Sequence, residues 1–218
     1  AERGIDPDTI EGVLITHSHT DQVRGCRRFA DKFHIPAYMT PQTFRILEDK
    51  ELCPERKTFI MPGSAFELCG VQVEAFSVSH DVDSVAYTFR CGDRKLGFAT
   101  DLGFLNLLAV DKLKGCRALV LESNYDRAML QRSPRPLALK RRIMSRQGHL
   151  SNDDALTALG ELLDATTRHL VFAHVSEECN DRSMLDDLAR GRLAGLGRAD
   201  VRFAIASQRE SLETIWVE

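Results

Sequence analysis

The stretch "LITHSHTDQVRG", Leu14 to Gly25, places His17, His19 and Asp21 in the order H-x-H-x-D directly after an apolar run. Two imidazoles two positions apart, on an extended turn leaving a strand, can reach one ion. Neutral imidazole suits zinc, manganese or iron, and a carboxylate suits a harder second position or a bridge. Gln22 follows Asp21. Four more residues of ligand type stand where apolar runs end: His80 after "FSVS", Asp101 after "GFAT", Glu122 after "ALVL" and His174 after "LVFA". Each alone has an ordinary explanation, such as a satisfied histidine or a helix cap. Together they point to one shared rim at strand ends, where a sheet holds side chains rigidly.

The elements that would position this rim are legible in part. "VLIT" (13–16) reads as a buried strand. Val23, Cys26, Phe29, Ala30 and Phe33 predict an amphipathic helix over 22–34, with Asp21 as a possible cap, and Thr40-Pro41 opens a second helix over 40–50. From 58 to 101 the texture turns β-rich, with "FELCG", "VQVEAFSVS", "SVAYTFRC" and "KLGFATD" as a meander. Further strands are expected at 117–123, 169–176 and 201–206, with "LETIWVE" as a last one. Helices are expected at 134–146, 151–164 and 180–191. Neither a repeat nor a linker interrupts the 218 residues, so the reading is one α/β domain over 1–218.

Composition excludes several classes. Apolar residues make 43 % and charged residues 28 % of the chain, at a net charge of −3, so there is no global signal for a polyanion or a membrane surface. No apolar run approaches the ~20 residues that span a bilayer. The cysteines, Cys26, Cys53, Cys69, Cys91, Cys116 and Cys179, form no C-x-x-C pair and read as mostly buried free thiols of a cytoplasmic protein.

Charge is nevertheless segregated. Residues 127–149 hold seven basic side chains and no acidic one, leaving 22 basic against 32 acidic residues elsewhere. Such a segment, running through Arg141, Arg142 and Arg146 into His149, suits a nucleic-acid backbone; the plainer reading is a solvated helix face. Ser151, before "NDDALTAL", has the signature of a capping residue.

"THSHTDQVRG", "SVSHD", "FATDLG", "LESNYD", "GHLSN" and "FAHVSEECN", in this order from about Gly4 to Cys179, resemble the metallo-β-lactamase fold superfamily and within it the YycJ/WalJ-type exodeoxyribonuclease-like branch. The resemblance implies a four-layer αββα sandwich with a dinuclear metal site. His17, His19 and His80 would form one metal position, Asp21 and His174 would belong to the second, and Asp101 would bridge them. Gln22 stands where the superfamily usually has a second-site histidine; an amide oxygen is a weaker, uncharged ligand, so the second ion should be the more weakly held. Tyr125 stands where the branch often has histidine. The family has a hairpin and a helix before "GIDPDTI", so the opening strands are expected to be missing.

The implied function is a metal-dependent hydrolase, nuclease-like, with one or two divalent ions (zinc, manganese or iron) and nucleic acid as substrate. Metal-bound hydroxide would attack phosphorus, Asp21 would ligate or orient the nucleophile, and His149 would assist the leaving group. Arg141, Arg142, Arg146 and Asn124, with Asp126 as a weaker candidate, would form the substrate wall. Two other readings stand beside it: a hydrolase of a carboxylic ester, thioester or lactam on the same fold, and a non-catalytic relative with an impaired second metal position.

Overall fold

A computed structural model describes residues 3–217. The chain divides into two compact units, Ala1–Ser77 with Val82–Cys91, and Val78–Asp81 with Gly92–Glu218.

The first unit runs β1 (Val13–Leu14), α1 (Thr20–Val23), α2 (Cys26–Lys32), β2 (Ala37–Met39), α3 (Pro41–Asp49), β3 (Lys57–Phe59), β4 (Ala65–Leu68), β5 (Val71–Ser77) and β6 (Val85–Cys91). β1, β2 and β3 pair in parallel, and β4, β5 and β6 form the antiparallel meander read from the sequence. Ile15, Val23, Ala37, Met39 and Leu47 make one buried cluster, and Ile60, Val73, Ala75, Val85 and Tyr87 another. α3 begins as the sequence requires: the Thr40 hydroxyl accepts the Thr43 N–H at 3.1 Å, and Pro41 occupies the first turn, where its missing N–H costs nothing.

Two expectations need correction here. The helix over 22–34 is two pieces, α1 and α2, parted at Arg24 and Gly25. Apolar spacing runs across this break, but glycine inside a helix costs about 1 kcal/mol relative to alanine, and Gly25 instead becomes the N-cap residue of α2. The "VLIT" strand is only Val13–Leu14, although the Ile15 N–H still reaches the Tyr38 carbonyl at 2.9 Å. The short strands β2 and β3 carry too little alternation to be anticipated.

The second unit runs β7 (Arg94–Ala99), α4 (Leu107–Leu113), β8 (Ala118–Glu122), α5 (Arg127–Arg132), α6 (Leu137–Ile143), α7 (Asn152–Leu162), β9 (His169–Ala173), α8 (Arg182–Gly195) and β10 (Arg202–Ile205). β7, β8, β9 and β10 pair in parallel in that order. Parallel neighbours need crossover connections, which the helices supply. Leu119, Leu121, Leu170 and Phe172 are buried in these strands, and α7 and α8 bury Leu156, Leu159, Leu185 and Leu193.

α6 starts at Leu137 rather than 134, because Pro134 and Pro136 cannot donate to a helical ladder. "LETIWVE" forms no strand, so β9 is the neighbour of β10 among the described residues. Only Cys116 and Cys179 are buried; Cys26 and Cys53 are half-buried, and Cys69 and Cys91 are exposed, which corrects the expectation of mostly buried thiols. All six are free. Burial, with Cys53 and Asp31 nearby, pushes the Cys26 thiol up to about 11, far from nucleophilic. No helix among the described residues is long and apolar enough to cross a membrane.

Two glycines let backbones of the second unit meet. A Cβ on Gly103 would lie 2.3 Å from the Arg146 carbonyl carbon and oxygen, and one on Gly148 would lie 2.1 Å from the Ile143 oxygen. Gly148→Ala should therefore lower stability by on the order of 1–3 kcal/mol in urea unfolding. Gly191→Ala, in the open interior of α8 where a new Cβ meets nothing, should be neutral or stabilising by up to about 1 kcal/mol.

Candidate metal centre

In the first unit, His17 and His19 follow β1 with their rings 4.8 Å apart and nearly perpendicular. His17 is fully buried, and its Nδ1 lies 2.9 Å from the Thr16 hydroxyl. The turn that carries them is held on both sides: the Val85 N–H donates to the Thr16 carbonyl at 3.0 Å, and the Tyr87 hydroxyl donates to the Ile15 carbonyl at 2.7 Å. Asp21 and Gln22 lie on α1 and are exposed. His19, not Asp21, is the N-cap residue of that helix.

In the second unit the strand-end residues converge. Ligand-type atoms of Asp101, Glu122, His149 and His174 lie within 4.8 Å of one another. His80 joins them, its ring 5.3 Å from that of His149 and its Nε2 4.0 Å from Asp101 Oδ1. Glu122 is the centrepiece. Its Oε1 accepts from His149 Nδ1 at 2.9 Å and from His174 Nδ1 at 2.7 Å; its Oε2 accepts the backbone N–H of Leu102 at 3.0 Å and of Leu150 at 3.1 Å. A carboxylate with four donors orients rings rather than binding an ion itself. With each Nδ1 proton held on Glu122, the Nε2 lone pairs of His149 and His174 are left for a ligand. His80 is set in the same manner, its Nδ1 3.0 Å from the Gly148 carbonyl.

Backbone geometry marks the same places. Asp101 and His174 follow β7 and β9 with φ of 58° and 53°, a left-handed conformation that non-glycine residues adopt at a cost. The Asn124 side chain donates to the His174 carbonyl at 2.7 Å, and the Gly103 N–H donates to the Ser79 carbonyl at 2.9 Å. Beneath the cluster, the Ser123 hydroxyl donates to Asn152 Oδ1 at 2.7 Å. Asn152 and Asn180 exchange hydrogen bonds at 2.8 and 2.9 Å, and Asn180 Nδ2 reaches the Ser123 carbonyl at 3.0 Å. "LESN", "GHLSN" and "EECN" are thus joined by one buried polar network.

Two sequence candidates resolve as structural: Ser151 caps α7 as read, and Asp126 caps α5 by accepting the Met129 N–H at 2.7 Å; Asp181 likewise caps α8. Glu122, noted at a strand end but given no role, is the residue that sequence reasoning missed. Its signal was a carboxylate at the end of a strand otherwise too apolar to tolerate one. In the basic segment, Arg142 pairs with Asp81, Arg127 with Asp154, and Arg135 with Glu178 at 2.7 Å. Arg141 and Arg146 are exposed, and the Arg146 guanidinium lies 3.8 Å above the Phe104 ring.

The donor set fits a divalent cation: buried oxygen and imidazole nitrogen atoms converge at the ends of rigid strands. Burial pushes Asp101 up to about 6, although His174 and His149 act to lower it. Glu122 is the converse. Burial works to raise it, but hydrogen bonds from His149 and His174 and their charges outweigh burial and bring it down to about 2.

The chain as a whole has relatives among known proteins. The family described as the beta-lactamase superfamily domain matches residues 1–175. The exodeoxyribonuclease YycJ of Bacillus anthracis is 33 % identical over 178 residues, 80 % of this chain and 67 % of that protein. The exodeoxyribonuclease WalJ of Streptococcus pneumoniae serotype 2 is 28 % identical over 207 residues, 90 % of this chain and 77 % of that protein. The crystal structure of the metallo-β-lactamase fold protein YhfI from Bacillus subtilis superposes with a TM-score of 0.69 at 14 % identity, covering 93 % of this chain and 77 % of that one. The chain belongs to the metallo-β-lactamase fold superfamily, in the branch that holds YycJ and WalJ. It is a hydrolase of that fold, whose chemistry rests on divalent metal ions.

The two shifted carboxylates give the metal-free protein a characteristic pH response. Glu122, lowered on folding, contributes stability that is present above its ordinary value near 4.5 and lost as pH falls toward 2. Asp101, raised on folding, contributes stability that is present below its ordinary value near 3.8 and lost as pH rises through about 6. After chelation, urea midpoints should climb from pH 2 to 4.5 and decline again across pH 6. Asp101→Asn should remove the decline and leave the climb.

Proposed function

We propose that this protein is a metal-dependent phosphodiesterase of the exodeoxyribonuclease type, acting on DNA. The observation that carries the reading is the Glu122 carboxylate holding His149 and His174 side by side next to Asp101. The names of the two relatives add support.

By the family resemblance, His17, His19 and His80 would hold one ion and Asp21 and His174 a second, with Asp101 bridging the two; the second would be the more weakly held because Gln22 stands in place of an imidazole. Divalent ions, zinc or manganese, would supply Lewis acidity toward a phosphoryl oxygen and activate water. The chain's own residues do the rest. His149, its Nδ1 proton fixed on Glu122, offers its Nε2 lone pair to take up a proton and pass it to the leaving oxygen. Asp21 orients the attacking water or ligates. Arg141 and Arg146, both exposed near the His149 loop, hold backbone phosphates, with Arg142 contributing once Asp81 yields it. Asn124 keeps the His174 turn in place. Free thiols throughout accord with a cytoplasmic enzyme.

A second reading, hydrolysis of a small carboxylic ester, thioester or lactam, draws on the pairing of Arg127, Arg135 and Arg142 with acids, which removes charge from the basic segment.

The test is release of nucleotides from 5′-phosphorylated DNA, with metal analysis of the same preparation. Activity should vanish on chelation, return with Mn²⁺ or Zn²⁺, and be abolished in His19→Ala. A protein that holds no transition metal and is not activated by either ion is not this enzyme. Arg141→Ala should weaken DNA binding uniformly across sequences and reduce the slope of log affinity against log salt by about 1. An unchanged slope would remove Arg141 from the substrate wall.

A further inference from the structure

The parallel strands of the second unit have a second chemically distinct end. Glu122 and His174 stand where β8 and β9 finish, whereas Arg117, His169 and Arg202 stand where β8, β9 and β10 begin. Five residues of strand separate the two ends, about 16 Å at the usual rise. At the starting end lies a cavity of about 570 Å³ whose lining includes Arg117, Arg168, His169 and Arg202 together with Asp200, Glu213 and Trp216.

Register makes this a concentration of positive charge. Arg202 pairs directly with His169, and His169 with Ala118, the residue after Arg117. The Arg117 carbonyl accepts the N–H groups of both Arg168 and His169, at 2.8 and 3.1 Å, and the Arg168 carbonyl accepts the Arg202 N–H at 2.9 Å, fixing the three strand starts together. Like charges directly opposite on neighbouring strands destabilise a sheet. The cost shows on His169, which burial, then Arg202 and Arg117, hold below its ordinary range. Asp200 does little to offset it: Arg198 binds both of its oxygens, at 2.9 and 3.1 Å, and Arg168 lies 3.7 Å away. Trp216, the chain's single tryptophan, also lines the cavity and leaves 74 % of its surface exposed.

We infer that this cavity is a binding site for a nucleoside monophosphate, with Arg117 and Arg202 gripping the phosphate and the Trp216 indole stacking on the base. Guanidinium forks match phosphate geometry, and an exposed indole offers a face to any base. The cavity volume lies within the usual range for small-molecule sites, roughly 300–1,000 Å³. Glu213 faces the sugar hydroxyls as an acceptor. The site is independent of the metal centre and of the reaction proposed there.

Trp216 makes the test direct, since it alone reports as tryptophan. Its fluorescence is titrated with adenosine 5′-monophosphate, adenosine and inorganic phosphate in phosphate-free buffer. Saturable quenching by the monophosphate is expected. Arg117→Ala and Arg202→Ala should each weaken it about tenfold, through the loss of one charge-assisted contact, with unchanged thermal melts. Inorganic phosphate should compete without quenching. Adenosine binding as tightly as its monophosphate would overturn the phosphate grip, and phosphate binding as tightly as the monophosphate would overturn the stacking. No saturable change up to millimolar ligand, or quenching indifferent to both substitutions, would overturn the site.

Discussion

One buried carboxylate organises the chemical end of the second unit. Glu122 is fully buried at the end of β8, a position otherwise occupied by apolar side chains. An isolated charge there would cost several kcal/mol of desolvation. It is tolerated because four donors arrive from three directions: Leu102 from the turn after β7, His149 and Leu150 from the loop before α7, and His174 from the turn after β9. The carboxylate binds those segments together as much as they stabilise it. Withdrawing any one of the three segments would loosen the positions of the other two.

The remaining contacts of the region extend this constraint. The loop carrying His149 must lie against the turn after Asp101, and only residues without a Cβ at 103 and 148 let the backbones come so near. The Ser79 hydroxyl and His80 Nδ1 then hold the Arg146 and Gly148 carbonyls at 2.8 and 3.0 Å. Below, Ser123, Asn152 and Asn180 satisfy one another in a buried network, where a half-satisfied member would be costlier than an apolar one. Imidazole orientation is therefore fixed by polar groups beside and beneath the rings.

Much of this was legible in the sequence, and the rest was hidden for identifiable reasons. Strand ends bearing His80, Asp101 and His174 could be read because an apolar run followed by a ligand-type residue is a local signal. Caps such as Thr40 and Ser151 are local too. Glu122 had the same local signal, but its role depends on four donors from distant segments, which periodicity cannot express. The break at Gly25 was invisible to apolar spacing because the side chains keep their face while the ladder is interrupted. The basic segment misled in part: Asp81, Asp154 and Glu178, which pair with Arg142, Arg127 and Arg135, all lie outside it, so its isolated charge overstates what is available to a polyanion.

Strain at Asp101 and His174 follows from the same arrangement. A left-handed backbone costs a non-glycine residue roughly 1–2 kcal/mol, so two such turns oppose folding by a few kcal/mol. Glycine would relieve both, yet it would remove the carboxylate from one and the imidazole from the other. Each strained residue is held by bonds at its own turn: the Leu102 N–H, one residue beyond Asp101, on Glu122 Oε2, and the His174 carbonyl on Asn124. A turn that bends sharply away from a strand aims its side chain back across the strand ends, where the other donors are. The conformation that costs stability is the one that brings carboxylate and imidazoles within reach of a common ion.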